Sequence, residues 1–554
     1  MRPDRPKNSF FRRGEPLVWL SGGALTLVLA LTLVLLVVVL VNGLVVFWPQ
    51  DIMQIHLTDG SMLLGERVSR EKDPATGKYR TKIKVGNREN GAAFRWVPDK
   101  QIQDVTYPAE AFKLDRTVNL NYFGFLKAVE TPELEVPSEG TLAEQFTAAM
   151  RAAQRETRQK IEPIEAQERQ LARQLNNEVK YATIDVKYRR KQSLREGLSV
   201  DSPMVVALDG RLKELRAREK ELKGQTENLT AKRTELEASL RQNVAVFHDV
   251  SGLEQRMPLV DIVRFTRPNQ MGLFAKIGHY AVKTWELFTA DPREANQDGG
   301  LFPAIFGTVL MVFLMAILCF PLGVLAGIYL GEYAKDGPLV RTVRVAVNNL
   351  AGIPSIVYGI FGLGFFIYLC GGTLDTLFYP ARLDASEPVF GKGCIFWASL
   401  TLGLLTIPVV IVSTEEALRQ IPRGIKEGSY ALGATKFQTL YRVLVPMASP
   451  GMMTGFILAM ARAVGEVAPL MITGAVKSAP VPADGQFPFL HLDQQFMHLG
   501  FHIFDISCKS PNVEATKPMV YVTTLLLLSI VLTMTSVAIW LRNRMRRRYQ
   551  IRTI

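Results

Sequence analysis

Glu427-Gly428-Ser429-Tyr430-Ala431-Leu432-Gly433, followed after nine residues by Val443-Leu444-Val445-Pro446, forms a polar, basic stretch between two long apolar segments near the C-terminus. Small residues after Glu427 let a partner surface come close, and Gly433 permits a sharp break between two short helices. Pro446 is expected to stop the second helix before the next apolar segment begins. Taken alone, the stretch is an amphipathic connector between two spans.

Its neighbours give it more meaning. In Pro16–Trp48, the run from Leu25 to Val41 is interrupted only by Thr26 and Thr32. That segment exceeds the ~20 residues that cross a bilayer core. It is too long for the apolar part of a signal peptide, so a retained anchor is expected. Five further spans are expected at Phe302–Leu330, Leu350–Leu369, Cys394–Val412, Gly451–Val476 and Val520–Leu541. A long, mostly polar insertion separates the first span from the rest.

The formal charge of +13 invites a nucleic-acid reading, but its placement argues against one. Arg2, Arg5, Lys7, Arg12 and Arg13 crowd the N-terminal tail, and Arg542, Arg544, Arg546, Arg547, Arg548 and Arg552 the C-terminal one. Lys335, Arg341 and Arg344 follow the second span, and Arg419, Arg423, Lys426, Lys436 and Arg442 surround the opening stretch. The intervening connections are poorer in Lys and Arg. That alternation is the positive-inside bias expected of a six-span protein in a lipid membrane with both termini cytoplasmic. Cys319 is expected to pack mid-span, whereas Cys370, Cys394 and Cys508 fall at the outer face, where a disulfide is chemically open.

On this topology residues 49–300 face outward. Ile52–Leu57 before Asp59-Gly60 signals a hairpin. Tyr79, Thr81, Ile83 and Val85 alternate with basic residues as a half-buried strand does, and Phe94–Val97 and Leu259–Phe265 suggest further strands. From Thr141 to about Lys191 the apolar positions shift to helical spacing. Leu215, Leu222, Leu229 and Leu236 then repeat every seven residues, with a turn near Gly197 and Ser202-Pro203. An antiparallel coiled-coil hairpin on a β-rich base is expected, as a docking arm or as a spacer without a ligand.

Within the spans, Gly323, Gly327 and Gly331, and likewise Gly451, Gly455 and Ala459, predict close helix packing. Arg462 and Glu466 are spaced i, i+4 in an expected helix, so both project from one face. A charge in the membrane costs about 2.5–3.5 kcal/mol on insertion scales and faces a partner or a wet path. Arg462 offers planar donors to an oxyanion, with Glu466 holding the guanidinium. The competing reading is an ion pair that only stitches helices together. There is no Gly-x4-Gly-Lys-Ser/Thr loop for ATP, no metal-ligand pattern and no catalytic constellation. A transporter subunit is expected, not an enzyme, with no cofactor.

The opening stretch resembles the EAA loop of ABC importer permeases, with Gly428-Ser429 where that family has Ala-Ala. In the family this elbow docks on a separate ATPase, so the resemblance assigns ATPase coupling to Glu427, Gly428, Ser429, Ala431, Gly433, Ala434 and Pro446. Asn348–Gly359 and Ala461–Leu470 are similar to the phosphate (Pst) importer permeases. The Gly465-Glu466-Val467-Ala468-Pro469-Leu470 ending favours the PstA-type branch over PstC, although Val467 stands where the family often has Thr.

The resemblance covers roughly residues 301–541 plus the first span and leaves out the insertion. It implies a phosphate path through Arg462 and Glu466. Its implied partners are a PstC-like second permease, a PstB-like ATPase dimer and a PstS-like periplasmic phosphate-binding protein. A permease for another oxyanion, or an envelope sensor or scaffold built on the insertion, are the alternatives.

The expected fold is thus an all-α polytopic membrane protein of the ABC importer type I permease kind, with a large α+β extracytoplasmic insertion containing a coiled-coil hairpin. Its parts are a cytoplasmic tail (1–16), the first transmembrane helix (17–48) and a periplasmic insertion (49–300, coiled coil about 141–245). A five-helix permease core (301–541, EAA loop about 415–450) and a basic tail (542–554) complete it.

Overall fold

The structure, a computed structural model, describes residues 15–74, 77–87, 94–117, 121–132, 134, 139–293, 298–483, 489–510 and 513–549. The basic N-terminal tail from Arg2 to Arg13 and Arg552 at the other end lie outside them.

Helix α1 (Glu15–Val45) is followed by a β-rich base. Strands β1 (Ile52–Leu57), β2 (Met62–Lys72), β3 (Tyr79–Lys84), β4 (Phe94–Pro98) and β5 (Ile102–Thr106) form one antiparallel sheet in the order β4-β3-β2-β1-β5. The β1–β2 turn needs Gly60, whose φ is +80, and Asp59 caps it by accepting from the Ser61 N–H and hydroxyl. Strands β6 (Ala111–Arg116), β7 (Asn121–Glu130), β8 (Val244–His248), β9 (Glu254–Pro258) and β10 (Ile262–Thr266) build a second sheet, ordered β10-β6-β7-β8-β9.

Between β7 and β8 the chain leaves the base as a helical hairpin. Its outgoing arm comprises α2 (Leu142–Glu156), α3 (Glu162–Gln174) and α4 (Tyr181–Arg195), joined by two wide π-turns, and α5 (Pro203–Leu240) returns. The root of the hairpin belongs to the core of the base, where Phe146 packs edge-on against Phe112 and Phe247. Further out, Leu215 and Leu222 are buried between the arms while Leu229 and Leu236 are only half-buried. The other seam positions, Glu219, Thr226 and Arg233, are polar, which leaves the apolar stripe narrow.

Helix α6 (Leu273–Thr289), which no sequence pattern had singled out, precedes the strand pair β11 (Pro292–Arg293) and β12 (Asp298–Gly299). The membrane part follows with α7 (Phe302–Ile328), α8 (Pro338–Leu350), α9 (Ser355–Phe361), α10 (Gly372–Phe378), α11 (Pro380–Asp384) and α12 (Ile395–Arg419). It continues through α13 (Arg423–Ala431), α14 (Lys436–Thr439), α15 (Val445–Gly465), α16 (Ala468–Thr473), α17 (Leu499–Phe504) and α18 (Val513–Tyr549). Among the described residues six helices are long and apolar enough to cross a membrane.

Helix α12 is the axis of this bundle, and glycines set its approach to both neighbours. A Cβ on Gly327 of α7 would lie 2.6 Å from Thr414 Cβ, and one on Gly451 of α15 only 2.4 Å from Ala417 Cβ. Contacts that close admit no larger residue without moving a helix, and small residues are what allow helices to associate in lipid.

Several boundaries differ from the sequence expectation. The third span runs over Ser355–Phe378, not Leu350–Leu369. Asn348–Leu350 end the amphipathic α8, and Pro354, extended at ψ 135, caps the start of α9. Proline disfavours helix in the residue before it, so the chain turns there instead of kinking within a span.

The fifth apolar segment is not one helix over Gly451–Val476, because α15 stops at Gly465 and α16 starts afresh at Ala468. The Pro469 ring would collide with the Gly465 carbonyl in a continuous helix. Pro446 does not stop the second elbow helix either. The π-turn Leu440–Leu444, closed by Val445 N–H on Leu440 O, widens the helix just before the ring, and the span continues unbroken over Lys436–Gly465. All four cysteines are free, Cys319 and Cys394 being buried.

Candidate translocation and coupling sites

The elbow is built from two helices that meet at a left-handed residue. Pro422 leads into α13, Gly433 takes φ +83, and Thr435 starts α14 with a reciprocal capping box to Gln438. Gly433 has no neighbour within 4 Å where a Cβ would stand, so only its backbone angle demands glycine. Glu427, Gly428, Ala431 and Gly433 are exposed, while Ser429, Ala434 and Pro446 are half-buried. Leu432 is 91% exposed and Phe437 68% exposed, with Tyr441 stacked on Phe437. An aqueous surface gains nothing from such an apolar ridge, which is the composition of a contact face.

The elbow is tied to the bundle by charges that the sequence reading missed. Glu415, near the end of α12, pairs with Arg344 of α8 at 2.8 Å and accepts from Arg419 at 2.6 Å. Arg344 also reaches Asp336 at 2.9 Å and the Leu330 carbonyl at 2.9 Å. Lys426 of α13 pairs with Glu332. The available signal was the pair Glu415-Glu416 closing an apolar helix, next to the basic residues already counted.

Arg462 and Glu466 are brought together, though not as expected. Glu466 lies past the end of α15 with extended backbone (φ −81, ψ 126), so the two do not share a helical face. Their side chains nevertheless meet, Arg462 Nε to Glu466 Oε1 at 3.3 Å, and remain 34% and 20% exposed. The break also brings the Asn348–Gly359 and Ala461–Leu470 segments together, since a Cβ on Gly359 would lie 2.8 Å from Pro469 Cα. A half-exposed guanidinium held by one carboxylate beside an interrupted helix can take an anion on its free edge, with Glu466 limiting how tightly.

Two structures brace this region from the side opposite the elbow. Asp375 is fully buried and accepts from the Val389, Phe390 and Gly391 N–H groups at 2.7–3.1 Å, pinning the loop between the third and fourth spans. The hairpin descends onto that same loop, where Lys180 pairs with Glu387 at 2.8 Å and Lys191 with Asp384 at 2.5 Å. The Arg382 guanidinium also lies 4.0 Å over the Tyr181 ring. Between the fifth and sixth spans, His498 Nδ1 accepts from the Gly500 and Phe501 N–H groups at the start of α17. Burial pushes its pKa down to about 3. His502 is lowered to about 4 by burial, with Asp505 opposing.

Residues 323–547 match the family of binding-protein-dependent transport system inner membrane components. The phosphate transport system permease protein PstA of Mycobacterium leprae is 34% identical over 237 residues, covering 42% of this chain and 69% of its own length. The probable ABC transporter permease protein YqgI of Bacillus subtilis is 29% identical over 254 residues, covering 44% of this chain and 80% of its own. A probable PstA of Methanocaldococcus jannaschii is 34% identical over 177 residues, covering 32% and 56%. A solved structure of the MetNI methionine ABC transporter overlaps 48% of this chain and 98% of its own at 20% identity, with a TM-score of 0.31, too slight to bear on the fold.

The protein is a multi-pass membrane permease component of an ABC importer, not an enzyme, and such a component works with a separate ATPase and a substrate-binding protein. The chain belongs to the binding-protein-dependent transport system inner membrane component family, and within it is similar to the PstA-type permeases.

Proposed function

We propose that this chain forms, with a PstC-like second permease, the path by which inorganic phosphate crosses the inner membrane. A PstB-like ATPase dimer would drive it and a PstS-like protein would deliver the anion. Both termini and the elbow face the cytoplasm on this reading, and the β-rich base with its coiled-coil hairpin faces outward. Glu427, Gly428, Ser429, Ala431, Gly433, Ala434 and Pro446 form the coupling elbow, with Leu432 and Phe437 as its apolar ridge. Arg462 and Glu466 line the anion path.

The observation that carries this reading is the break after Gly465, which leaves the Arg462–Glu466 pair half-exposed where α15 gives out instead of sealed inside a helix packing face. A purely structural pair would be expected to bury both partners, since exposed pairs contribute only about 0–1 kcal/mol. Substituting Arg462→Ala in the assembled complex and measuring radiolabelled phosphate uptake into proteoliposomes tests it. Uptake reduced tenfold or more is expected, on the scale of a lost charge-assisted contact of about 1.5–3 kcal/mol. Undiminished uptake with intact assembly would leave only the stitching role. Competition by sulfate, molybdate and phosphonate separates phosphate from the other oxyanions.

A further inference from the structure

Where the β-rich base meets the membrane helices, a cavity of about 140 Å³ is walled by strands β3, β6 and β7, by α6, and by the ends of α1 and α18. Its walls carry Lys84, Lys113, Lys283 and His279 as well as Asp115 and Asp298. The carboxylates around it already have partners. Asp115 pairs with Lys283 at 2.7 Å and accepts from Asn121 at 2.6 Å. Glu66 takes Lys113 at 2.6 Å, Glu286 takes Arg264 at 2.9 Å and Arg293 at 2.6 Å, and Asp298 lies 3.7 Å from Arg293. Lys84 is left over. Among the described residues its ammonium has one hydrogen-bond partner, the neutral Asn121 Oδ1, and no carboxylate within ion-pair distance.

The local electrostatics agree with that inventory. Burial, reinforced by the Lys113 charge, pushes the Lys84 ammonium below the usual lysine range. Burial opposes ionisation of Asp115, but Lys283 and Lys113 outweigh it and hold that carboxyl well below the usual range. Asp115 is therefore held as an anion, and among the described residues Lys84, whose charge Glu66, Asp115 and Asp298 offset only from a distance, is the cation of the site without an ion-pair partner. A half-buried cation without an ion-pair partner is unfavourable, and a ligand anion relieves it.

The depth of the cavity narrows the chemistry. On α6 the apolar residues face outward, Phe274 being 89% exposed and Trp285 70%, while His279 and Lys283 point into the cavity. A helix of that pattern lies in the interfacial plane of a bilayer. Trp48 closes α1 at the same place, as interfacial aromatics do. The cavity is thus at headgroup level, lined by ammonium donors on one side and by Val46, Phe47 and Met519 on the other.

We propose that this cavity is a second anion site, separate from the path at Arg462, that binds one phosphate-class oxyanion through Lys84 with Lys113, Lys283 and His279 around it. Free inorganic phosphate and the phosphodiester of an anionic lipid share that chemistry, and the experiment distinguishes them.

Thermal melting of the detergent-purified full chain would be followed with and without inorganic phosphate. In parallel it would be followed in nanodiscs of phosphatidylglycerol and of phosphatidylcholine. All measurements would be made in an Arg462→Ala background, so that a failure here does not depend on the translocation path. A rise in melting temperature with phosphate assigns the free anion, and a rise only in phosphatidylglycerol assigns the lipid.

In either case Lys84→Met should weaken the response about tenfold or more, while Lys84→Arg keeps it. Lys84→Met should also leave the ligand-free protein as stable as before or more so, because it removes a charge without an ion-pair partner among the described residues. The proposal is overturned if neither anion stabilises the protein. It is equally overturned if Lys84→Met leaves the response intact or lowers the melting temperature of the ligand-free chain.

Discussion

The Ser429 hydroxyl lies 2.9 Å from that of Thr439, joining the two helices of the elbow across the turn at Gly433. Thr439 is fully buried, while Leu432 and Phe437 of the same elbow are exposed. Ser429, one of the two residues that depart from the family's Ala-Ala pattern, therefore braces the angle of the elbow while staying small. Ser429→Ala should cost about 1 kcal/mol of local stability and reduce ATP-coupled uptake without changing the amount of complex. Gly433→Ala should do more harm, since a side chain at φ +83 is strained by about 1–2 kcal/mol. Coupling ratios measured in proteoliposomes, uptake per ATP hydrolysed, would show both effects. Equal ratios in wild type and both variants would argue against a bracing role.

The hairpin has a natural point for truncation. Glu168 accepts a hydrogen bond from Thr230 across the arms at 2.8 Å, so residues 169–229 can be replaced by a short glycine-serine link. That removes Lys180, Tyr181 and Lys191 from the 380–387 loop and leaves Phe146 and strand β8 in the core of the base. The shortened chain is expected to fold with its base intact and to transport with altered rate, because the loop loses its brace. Normal uptake kinetics would demote the hairpin to a spacer. Charge reversal at Lys191→Glu should mimic part of the effect, and Asp384→Lys in the same chain should restore it.

Asp375 offers a sharper stability test. Asp375→Ala removes both carboxylate oxygens, on which the Val389, Phe390 and Gly391 N–H groups converge. Unsatisfied buried donors cost about 1–3 kcal/mol each, so a loss of about 3 kcal/mol or more is expected. It should be read as a lower melting temperature and as easier proteolysis between residues 385 and 392. An unchanged melting temperature would mean the loop is held by the hairpin and by Trp397, whose indole N–H donates to Phe390 O at 2.6 Å.

Stability should fall in mild acid through His498 and His502. Both fold as neutral rings, with pKa values lowered to about 3 and about 4 by burial. The unfolded chain binds protons on them below about pH 6.5, whereas the folded chain does not until near pH 4 or below. Their contribution is therefore flat well above pH 6.5 and turns unfavourable as pH falls, by about 2.5 kcal/mol each near pH 4.5. Melting temperature measured from pH 7.5 to 4.5 should drop, and His502→Phe should flatten the drop. A curve for the variant parallel to wild type would show that other groups govern acid stability.

The outcome at particular residues shows what was legible. Apolar run length is a one-dimensional property, and it was enough to count the spans. Alternation at Tyr79–Val85 and heptad spacing from Leu215 read as strand and helix because side-chain direction follows the backbone period. The span ends were harder. Pro354, Pro446 and Pro469 look alike in sequence, yet one caps a helix, one rides through on a π-turn and one starts a new helix after a break. The carbonyl that each ring meets depends on local winding, which neighbours set.

Sequence by itself determined the six apolar spans, the charge asymmetry between connections and the elbow with its left-handed glycine, because length, charge and backbone preference are local. Only the tertiary structure decided that Glu466 leaves the helix and still reaches Arg462, and that Lys191 meets Asp384. It likewise left Lys84, among the described residues, with only a neutral partner where sheet, helix α6 and spans converge. Those relations join residues far apart in the chain, and they exist only once packing has chosen which charges are neighbours and which are left without one.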